Sequence, residues 1–436
     1  MTNARKPELD LTPWYGREIE CTCGRRHFCP IREIAVSRGA LERLSDLTAE
    51  FRHILLAADT NTWAAAGERV SSILGGRVGG ILIFHREGRL VPDEAAVNEL
   101  EEALADDTDL ILGIGSGVIN DLCKYVSWKR EMAYGIVATA PSMDGYASSG
   151  AAMIAGGMKV TYTARPPRFI LADVDIVRQA PIDMLRAGYG DIIGKYSSLC
   201  DWRLARLMRG EFFCERIHDL VMTVTDSVRD LAERIAARDP DAVEYLTKAL
   251  ILIGITLSLV GSTRPGSGSE HHLSHFFEIT SLLSGEPHFC HGIDVGYATL
   301  VTAGLRERIA ALEEPEFHPE PEVERLSAWN RIYGPIADEV KALQDEAGSY
   351  RREMAALYRE RWPEIRALLS ACPSAEECRG MLARAGYEPD GDKKLYGESR
   401  IRDAVFYGKD LKDRYSVLWL YYELFSGLKN TVPGEE

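Results

Sequence analysis

Leu110–Lys124 reads LILGIGSGVINDLCK. Four aliphatic residues (Leu110, Ile111, Leu112 and Ile114) run into Gly115 and Gly117, and amphipathic sequence carrying Val118, Ile119 and Leu122 follows. A short apolar run that ends in glycines and passes into helix-forming residues predicts strand, tight turn, helix. The run is continuous, not alternating, so the strand is covered on both faces, as in a parallel sheet. The same grammar recurs on either side. His53–Asn61, Gly79–His85, Ala133–Ser142 and Arg168–Asp175 are apolar runs stopped by Gly, Asp, Asn or Ser. Between them, Thr62–Leu74, Asp93–Asp107 and Gly117–Arg130 have helical character. That alternation predicts βαβ units, and ligands in such sheets sit beyond the carboxyl ends of the strands.

After about residue 180 the strand-like runs fade. In Arg216–Arg238, Ile217, Leu220, Val221, Val224, Val228, Leu231 and Ile235 recur at three- and four-residue spacing, one face of a helix. Ser349–Ala371 repeats the pattern. The expected fold class is therefore α/β plus all-α. A Rossmann-like parallel-sheet domain covers residues 1–180, with 1–34 as an extension holding a Cys-rich hairpin. A helical domain covers 181–436, and the active site lies in the cleft between them. The changeover falls near Arg178–Asp191. Leu312–Ser327 is Pro- and Glu-rich and predicts an exposed loop.

Composition limits the partners. The 436 residues carry a formal charge of −15, with 46% hydrophobic and 27% charged residues, the balance of a globular protein. A field of that sign repels nucleic acid and anionic lipid but allows a small anion in a local basic pocket. The N-terminus has no apolar run, and Ala249–Gly261 is shorter than the roughly 20 residues of a bilayer span. Both point to a cytoplasmic chain with a buried helix there. Nine cysteines without a secretion signal point to reduced thiols.

Several polar clusters sit at the predicted strand ends. Gly113, Gly115 and Gly117 form either an ordinary tight turn or a cradle for a pyrophosphate, although the spacing is not G-x-G-x-x-G. Asn120, Asp121 and Lys124 read as solvated or capping residues. Thr139, Ser142, Asp144 and Ser148 form either a polar loop or a site for cofactor and substrate hydroxyls. Asp59 and Asn61 fit an adenosine ribose or a plain turn. Five of the ten histidines fall between residues 271 and 291. On a helix His271 and His275 share a face, and His272, about 100° away, is outer-shell or solvent-facing. A catalytic metal takes three protein ligands. Asp191 in GYGDIIGK, at a predicted helix start, is either an N-cap or the third ligand beside His271 and His291. Cys21, Cys23, His27 and Cys29 in CTCGRRHFC are tighter than the usual zinc spacing, so a hairpin with a polar turn is the expected reading, and a zinc knuckle its alternative.

Taken in order, GIGSGVINDLCKY, TAPSMDGYASSGA, GYGDIIGKYSSLCDW, RPGSGSEHHLSHFFE and HGIDVG resemble the sn-glycerol-1-phosphate dehydrogenase family, its bacterial branch. That family belongs to the dehydroquinate synthase-like and iron-containing alcohol dehydrogenase superfamily. The resemblance spans roughly residues 35–300 and continues weakly through Phe406–Leu428. It implies NAD(P)-dependent interconversion of dihydroxyacetone phosphate and sn-glycerol 1-phosphate with one divalent metal, zinc, nickel or iron. It implies that Asp191, His271 and His291 bind the metal, that Asp144 meets substrate hydroxyls, and that His275 contacts substrate. Gly115, Ser116, Gly117, Val118 and Ile119 would hold the pyrophosphate. Thr139, Ser142 and Ser148 would line the nicotinamide, and Asp59 and Asn61 the adenosine. Lys195 and Arg264 stand near the motifs, either as cations for the substrate phosphate or as members of surface or structural ion pairs. Relatives are implied to be homo-oligomers. Asn120 and Ile293–Asp294 depart from the family pattern, which leaves substrate preference open. The rival readings are a dehydrogenase of another small polyol or polyol phosphate, a dehydroquinate synthase-like lyase, and a non-enzymatic zinc protein.

Overall fold

The computed structural model describes residues 8–156 and 158–429. The chain groups into two compact units, the described part of Met1–Ile192 with Asp219–Thr263, and Ile193–His218 with the described part of Arg264–Glu436.

The first unit opens on a two-stranded antiparallel hairpin, β1 (Glu18–Glu20) and β2 (Arg26–Phe28), in which Ile19 faces His27. The hairpin expected from CTCGRRHFC is present. Six parallel strands follow: β3 (Glu33–Ser37), β4 (Ile54–Asp59), β5 (Val78–Phe84), β6 (Leu110–Gly115), β7 (Ala133–Ala138) and, after the hairpin of β8 (Gly150–Ala155) and β9 (Met158–Thr163), β10 (Phe169–Asp173). Their order is β3-β10-β7-β6-β4-β5. Every residue of the inner strands β6 and β10 is buried, whereas β5 at one edge alternates. This is the burial that continuous apolar runs require. The five runs singled out in the sequence are β4, β5, β6, β7 and β10. β3 is an outer strand with polar ends. The antiparallel hairpin β8 (Gly150–Ala155) and β9 (Met158–Thr163) interrupts the βα alternation.

Pro240–Val260 holds the apolar stretch expected to be a buried helix. Among the described residues it is the one helix long and apolar enough to cross a membrane, and 89% of its most apolar window is buried inside the protein.

The second unit is helical. Ser269–Ser284 packs against His291–Ala310, which also contacts Ala355–Ser370 and Ala375–Arg384. The predicted loop Leu312–Ser327 is only partly a loop: a helix starts at Glu322. Glu320 is buried and accepts hydrogen bonds from the hydroxyls of Tyr407 and Tyr422, both at 2.9 Å. Within the weakly matching C-terminal motif, the buried Lys409 pairs with Asp410 at 3.0 Å and lies over the Tyr422 ring, a structural knot in this unit.

Candidate active site and metal centre

The loop from β7 to β8 carries Thr139, Ser142, Asp144 and Ser148. Thr139, Ser142 and Ser148 are buried and Asp144 is half-buried. Two helices hold this loop by close approach at glycine. A Cβ at Gly188, on helix Ile182–Ile193, would overlap the carbonyl oxygen of Pro141. A Cβ at Gly254, on Pro240–Val260, would overlap the carbonyl oxygen of Asp144. The loop is thereby set so that the Asp144 N–H donates to Asp191 Oδ2 at 2.9 Å. Asp191 was expected at a helix start. It lies instead in the last turn of Ile182–Ile193, so it is not an N-cap. The two preceding glycines belong to the helix, and Gly188 serves close packing, not helix initiation. Gly188→Ala is expected to lower unfolding stability by about 1–3 kcal/mol through overpacking, and to reduce activity through the displaced loop. Urea denaturation and steady-state rates check this; an unchanged midpoint with unchanged turnover would contradict it.

Asn120 and Lys124 were read as solvated or capping residues; both are fully buried. Lys124 Nζ donates to the carbonyls of Gly145 and Gly150, each at 2.8 Å, and to Ser148 Oγ at 3.3 Å. It pairs with Asp121 Oδ1 at 3.5 Å. Burial lowers the Lys124 pKa and raises that of Asp121, and each partner opposes the other's shift. Ser148 Oγ is bound to the same two carbonyls, at 3.1 and 3.2 Å, so its hydroxyl works inside the loop.

At the glycine turn, helix Gly117–Lys129 starts from Ser116 with no side-chain cap. A Cβ at Gly115 would overlap Ile119, so this glycine is required by the turn's own packing. Val118 is half-buried and Ile119 buried. Asp59 Oδ1 accepts from the backbone N–H groups of Asn61 and Thr62, both at 2.8 Å, as a helix cap.

In the helical unit, His271, His275 and His291 come together. Ring centroids are 5.0 Å apart for His271 and His291, 5.7 Å for His275 and His291, and 6.2 Å for His271 and His275. Glu270 Oε1 lies 2.7 Å from His271 Nδ1 and also accepts from Gly268 N–H at 2.9 Å. Ser274 Oγ lies 3.2 Å from His291 Nδ1. Nδ1 contacts of this kind leave Nε2 to bind a metal. Burial pushes the Glu270 carboxyl up to about 7. Asp201 Oδ2 accepts from Ser269 N–H at 2.6 Å, at the start of the same helix, and burial followed by Glu270 pushes its carboxyl up to about 6. His272 is fully buried, not solvent-facing, and burial with nearby cations lowers its pKa far enough to keep the ring neutral.

His271 and His291, in the helical unit, each offer a ring nitrogen as a metal ligand, and Asp191, in the first unit, offers a carboxylate oxygen. Two imidazoles and a carboxylate are the donors of a catalytic site that keeps a coordination position open. Arg264 is engaged by Glu211 in a two-pronged ion pair at 2.8 and 2.6 Å, and Lys195 is buried and donates to Gly266 O at 2.8 Å. Both cations named for a substrate phosphate thus have structural partners.

Known proteins share this arrangement of sequence. A family profile described as iron-containing alcohol dehydrogenase matches residues 35–181. A glycerol-1-phosphate dehydrogenase [NAD(P)+] of Halalkalibacterium halodurans is 36% identical over 310 residues, covering 69% of this chain and 77% of the relative. The chain belongs to the glycerol-1-phosphate dehydrogenase family. A second member, from Geobacillus stearothermophilus, is 31% identical over 377 residues, 84% of this chain and 86% of the relative. Among solved structures, an alcohol dehydrogenase from a halo-thermophilic archaeon of a Red Sea brine pool aligns with a TM-score of 0.60 at 13% identity. It covers 93% of this chain and 99% of that one. At that identity the likeness concerns the fold, a parallel sheet followed by helices, as expected from the sequence. Within this glycerol-1-phosphate dehydrogenase family member, Glu270, Ser274 and Lys124 are the site-supporting residues that sequence reasoning missed. Glu270 had a signal, an acid directly beside a candidate ligand. Lys124 had none, because its burial depends on the loop that closes over it.

Proposed function

We propose that the chain interconverts dihydroxyacetone phosphate and sn-glycerol 1-phosphate in a metal- and NAD(P)-dependent hydride exchange. The observation that carries this reading is the convergence of His271 and His291, rings 5.0 Å apart with both Nδ1 atoms engaged, in a chain 36% identical to a named glycerol-1-phosphate dehydrogenase, with Asp191 as the third donor that the family resemblance implies. The donor set fits a divalent ion, and the Nδ1 contacts of both histidines fit neutral ligands that bind through Nε2. When bound, such an ion supplies Lewis acidity toward the C2 oxygen, and the dinucleotide supplies or receives the hydride.

The chain's own residues do the rest. Glu270 and Ser274 fix the two ligand rings. The Asp144 N–H orients Asp191, and the Asp144 carboxylate meets substrate hydroxyls. His275 passes the proton that ketone reduction consumes at the C2 oxygen. The turn from Gly115 to Ile119 holds the pyrophosphate at a helix start that lacks a side-chain cap. Thr139 and Ser142 border the nicotinamide, and Asp59 and Asn61 the adenosine. Zinc or nickel suits these ligands, and a cytoplasmic homo-oligomer is the setting that goes with the reading.

The test is NADH consumption by metal-reconstituted enzyme across a substrate panel. Net oxidation of NADH with dihydroxyacetone phosphate, well above that with unphosphorylated dihydroxyacetone, is the expected result. Preference for the unphosphorylated ketone would assign the chain to polyols, and turnover without net redox change would assign it to the lyases.

A further inference from the structure

The helical unit holds a buried cation whose counter-charge is not a carboxylate. Arg306, on helix His291–Ala310, is fully buried. Its Nη1 donates to Ser197 Oγ at 2.7 Å, while Nε and Nη2 have no hydrogen-bond partner among the described residues. A guanidinium taken out of water needs a compensating charge beside it. Four groups able to carry one face it: Cys372, Cys200, Cys378 and Asp201. Asp201 is engaged elsewhere, its Oδ1 by Val417 N–H at 2.7 Å and its Oδ2 by Ser269 N–H at 2.6 Å. Cys378 is fully buried, and burial pushes its thiol up to about 11, so it stays protonated. Cys372 and Cys200 are left.

The packing of the helices brings these two thiols to Arg306. Cys200 follows Ser197 by three residues on helix Lys195–Arg209, so it shares the face that Arg306 reaches. Helix Ala355–Ser370 packs against both Lys195–Arg209 and His291–Ala310, and Cys372 lies in the turn just past its end. The two thiols interact directly, with the Cys200 S–H donating toward the Cys372 sulfur. That contact, followed by the guanidiniums of Arg306 and Arg203, lowers the Cys372 pKa against the effect of burial. Cys200 is shifted the other way, by Cys372 and by burial, and keeps its proton. Ionisation gives up little, because the Cys372 S–H has a long 3.7 Å contact with Leu368 O. Cys372 is half-buried and Cys200 buried. The pair is therefore a thiolate within reach of solvent with a protonated thiol behind it. Thiolates beside arginine in partly exposed settings are the reactive ones.

We propose that Cys372 is a site of reversible oxidation by hydroperoxides, with Cys200 as its resolving thiol. The Cys372 thiolate attacks a peroxide oxygen. An S–O bond forms, the O–O bond breaks, and the departing hydroxide or alkoxide takes a proton from solvent, leaving a sulfenic acid. The Cys200 sulfur then displaces the sulfenic hydroxyl. An S–S bond forms, the S–O bond breaks, and the Cys200 proton leaves with the hydroxyl as water. Two electrons pass from the thiols to the peroxide. Both cysteines are free thiols in this structure, the starting state of that sequence.

The test treats the reduced full-length chain with hydrogen peroxide, blocks remaining thiols by alkylation, and maps the cysteines by peptide mass spectrometry. The expected result is a Cys200–Cys372 disulfide that dithiothreitol reverses, formed before the half-buried Cys290 is oxidised. Cys200→Ser should instead accumulate a sulfenic acid at Cys372, trapped by dimedone, and Cys372→Ser should give neither product. Cys372 that stays reduced, or is oxidised no faster than Cys290, overturns the proposal. So does a wild-type chain in which Cys372 passes to sulfinic acid without pairing, or pairs with Cys378. The wild-type readout decides the question even if a serine variant does not fold.

Discussion

His271→Ala is expected to lower kcat/KM for dihydroxyacetone phosphate reduction by about a thousandfold or more. The substitution removes one of the three donors proposed to hold the metal, an imidazole whose ring lies 5.0 Å from that of His291. Lewis-acid activation contributes several kcal/mol of transition-state stabilisation, and each 1.36 kcal/mol is a factor of ten. Two donors do not hold a divalent ion against dilution, so the loss should appear in metal content as well as rate. Glu270→Gln is the graded companion. It keeps the side-chain shape at His271 Nδ1 and removes the charge. Outer partners of this kind cost about 10- to 100-fold in metal affinity or activity when changed. Excess metal in the assay should restore much of the Glu270→Gln activity and little of the His271→Ala activity. Steady-state kinetics with parallel metal analysis measures both. Wild-type turnover by metal-free His271→Ala would remove the metal from the account.

The largest effect on stability is expected at Lys124. Its ammonium is fully buried and ties the Gly145 and Gly150 carbonyls and Ser148 to helix Gly117–Lys129. Lys124→Ala leaves those acceptors without their cation and leaves the half-buried Asp121 carboxylate without its charged partner. Breaking a buried pair on one side costs about 3–5 kcal/mol. Typical domains have about 5–15 kcal/mol in total, so the variant should be severely weakened. Part of the cost is the stranded charge, so Lys124→Met with Asp121→Asn should be more stable than Lys124→Met alone. Urea denaturation of the three proteins reports the order. A Lys124→Ala loss below about 1 kcal/mol would show that the loop does not depend on this cation.

Much of the architecture was legible because burial on both faces leaves continuous apolar runs, and β4, β6, β7 and β10 carry such runs. β3 was missed because its polar ends, Glu33 and Ser37, break the run, and β8–β9 because a hairpin follows no βα alternation. The histidine cluster was legible from helical spacing, since His271 and His275 share a face whatever the tertiary fold. The helix carrying Asp191 was misjudged at its start because Gly188 looks like a break. Its purpose, room for the Pro141 carbonyl, exists only in three dimensions. The same holds for Lys124, an ordinary polar helix residue until a loop closes over it.

The central claim is that this site exchanges hydride at C2 of a glycerol phosphate of one configuration. The most direct measurement is NAD(P)+ reduction by metal-reconstituted enzyme with each glycerol phosphate enantiomer in turn. The account predicts oxidation of sn-glycerol 1-phosphate and not of sn-glycerol 3-phosphate. Oxidation of sn-glycerol 3-phosphate in preference to its enantiomer would contradict it.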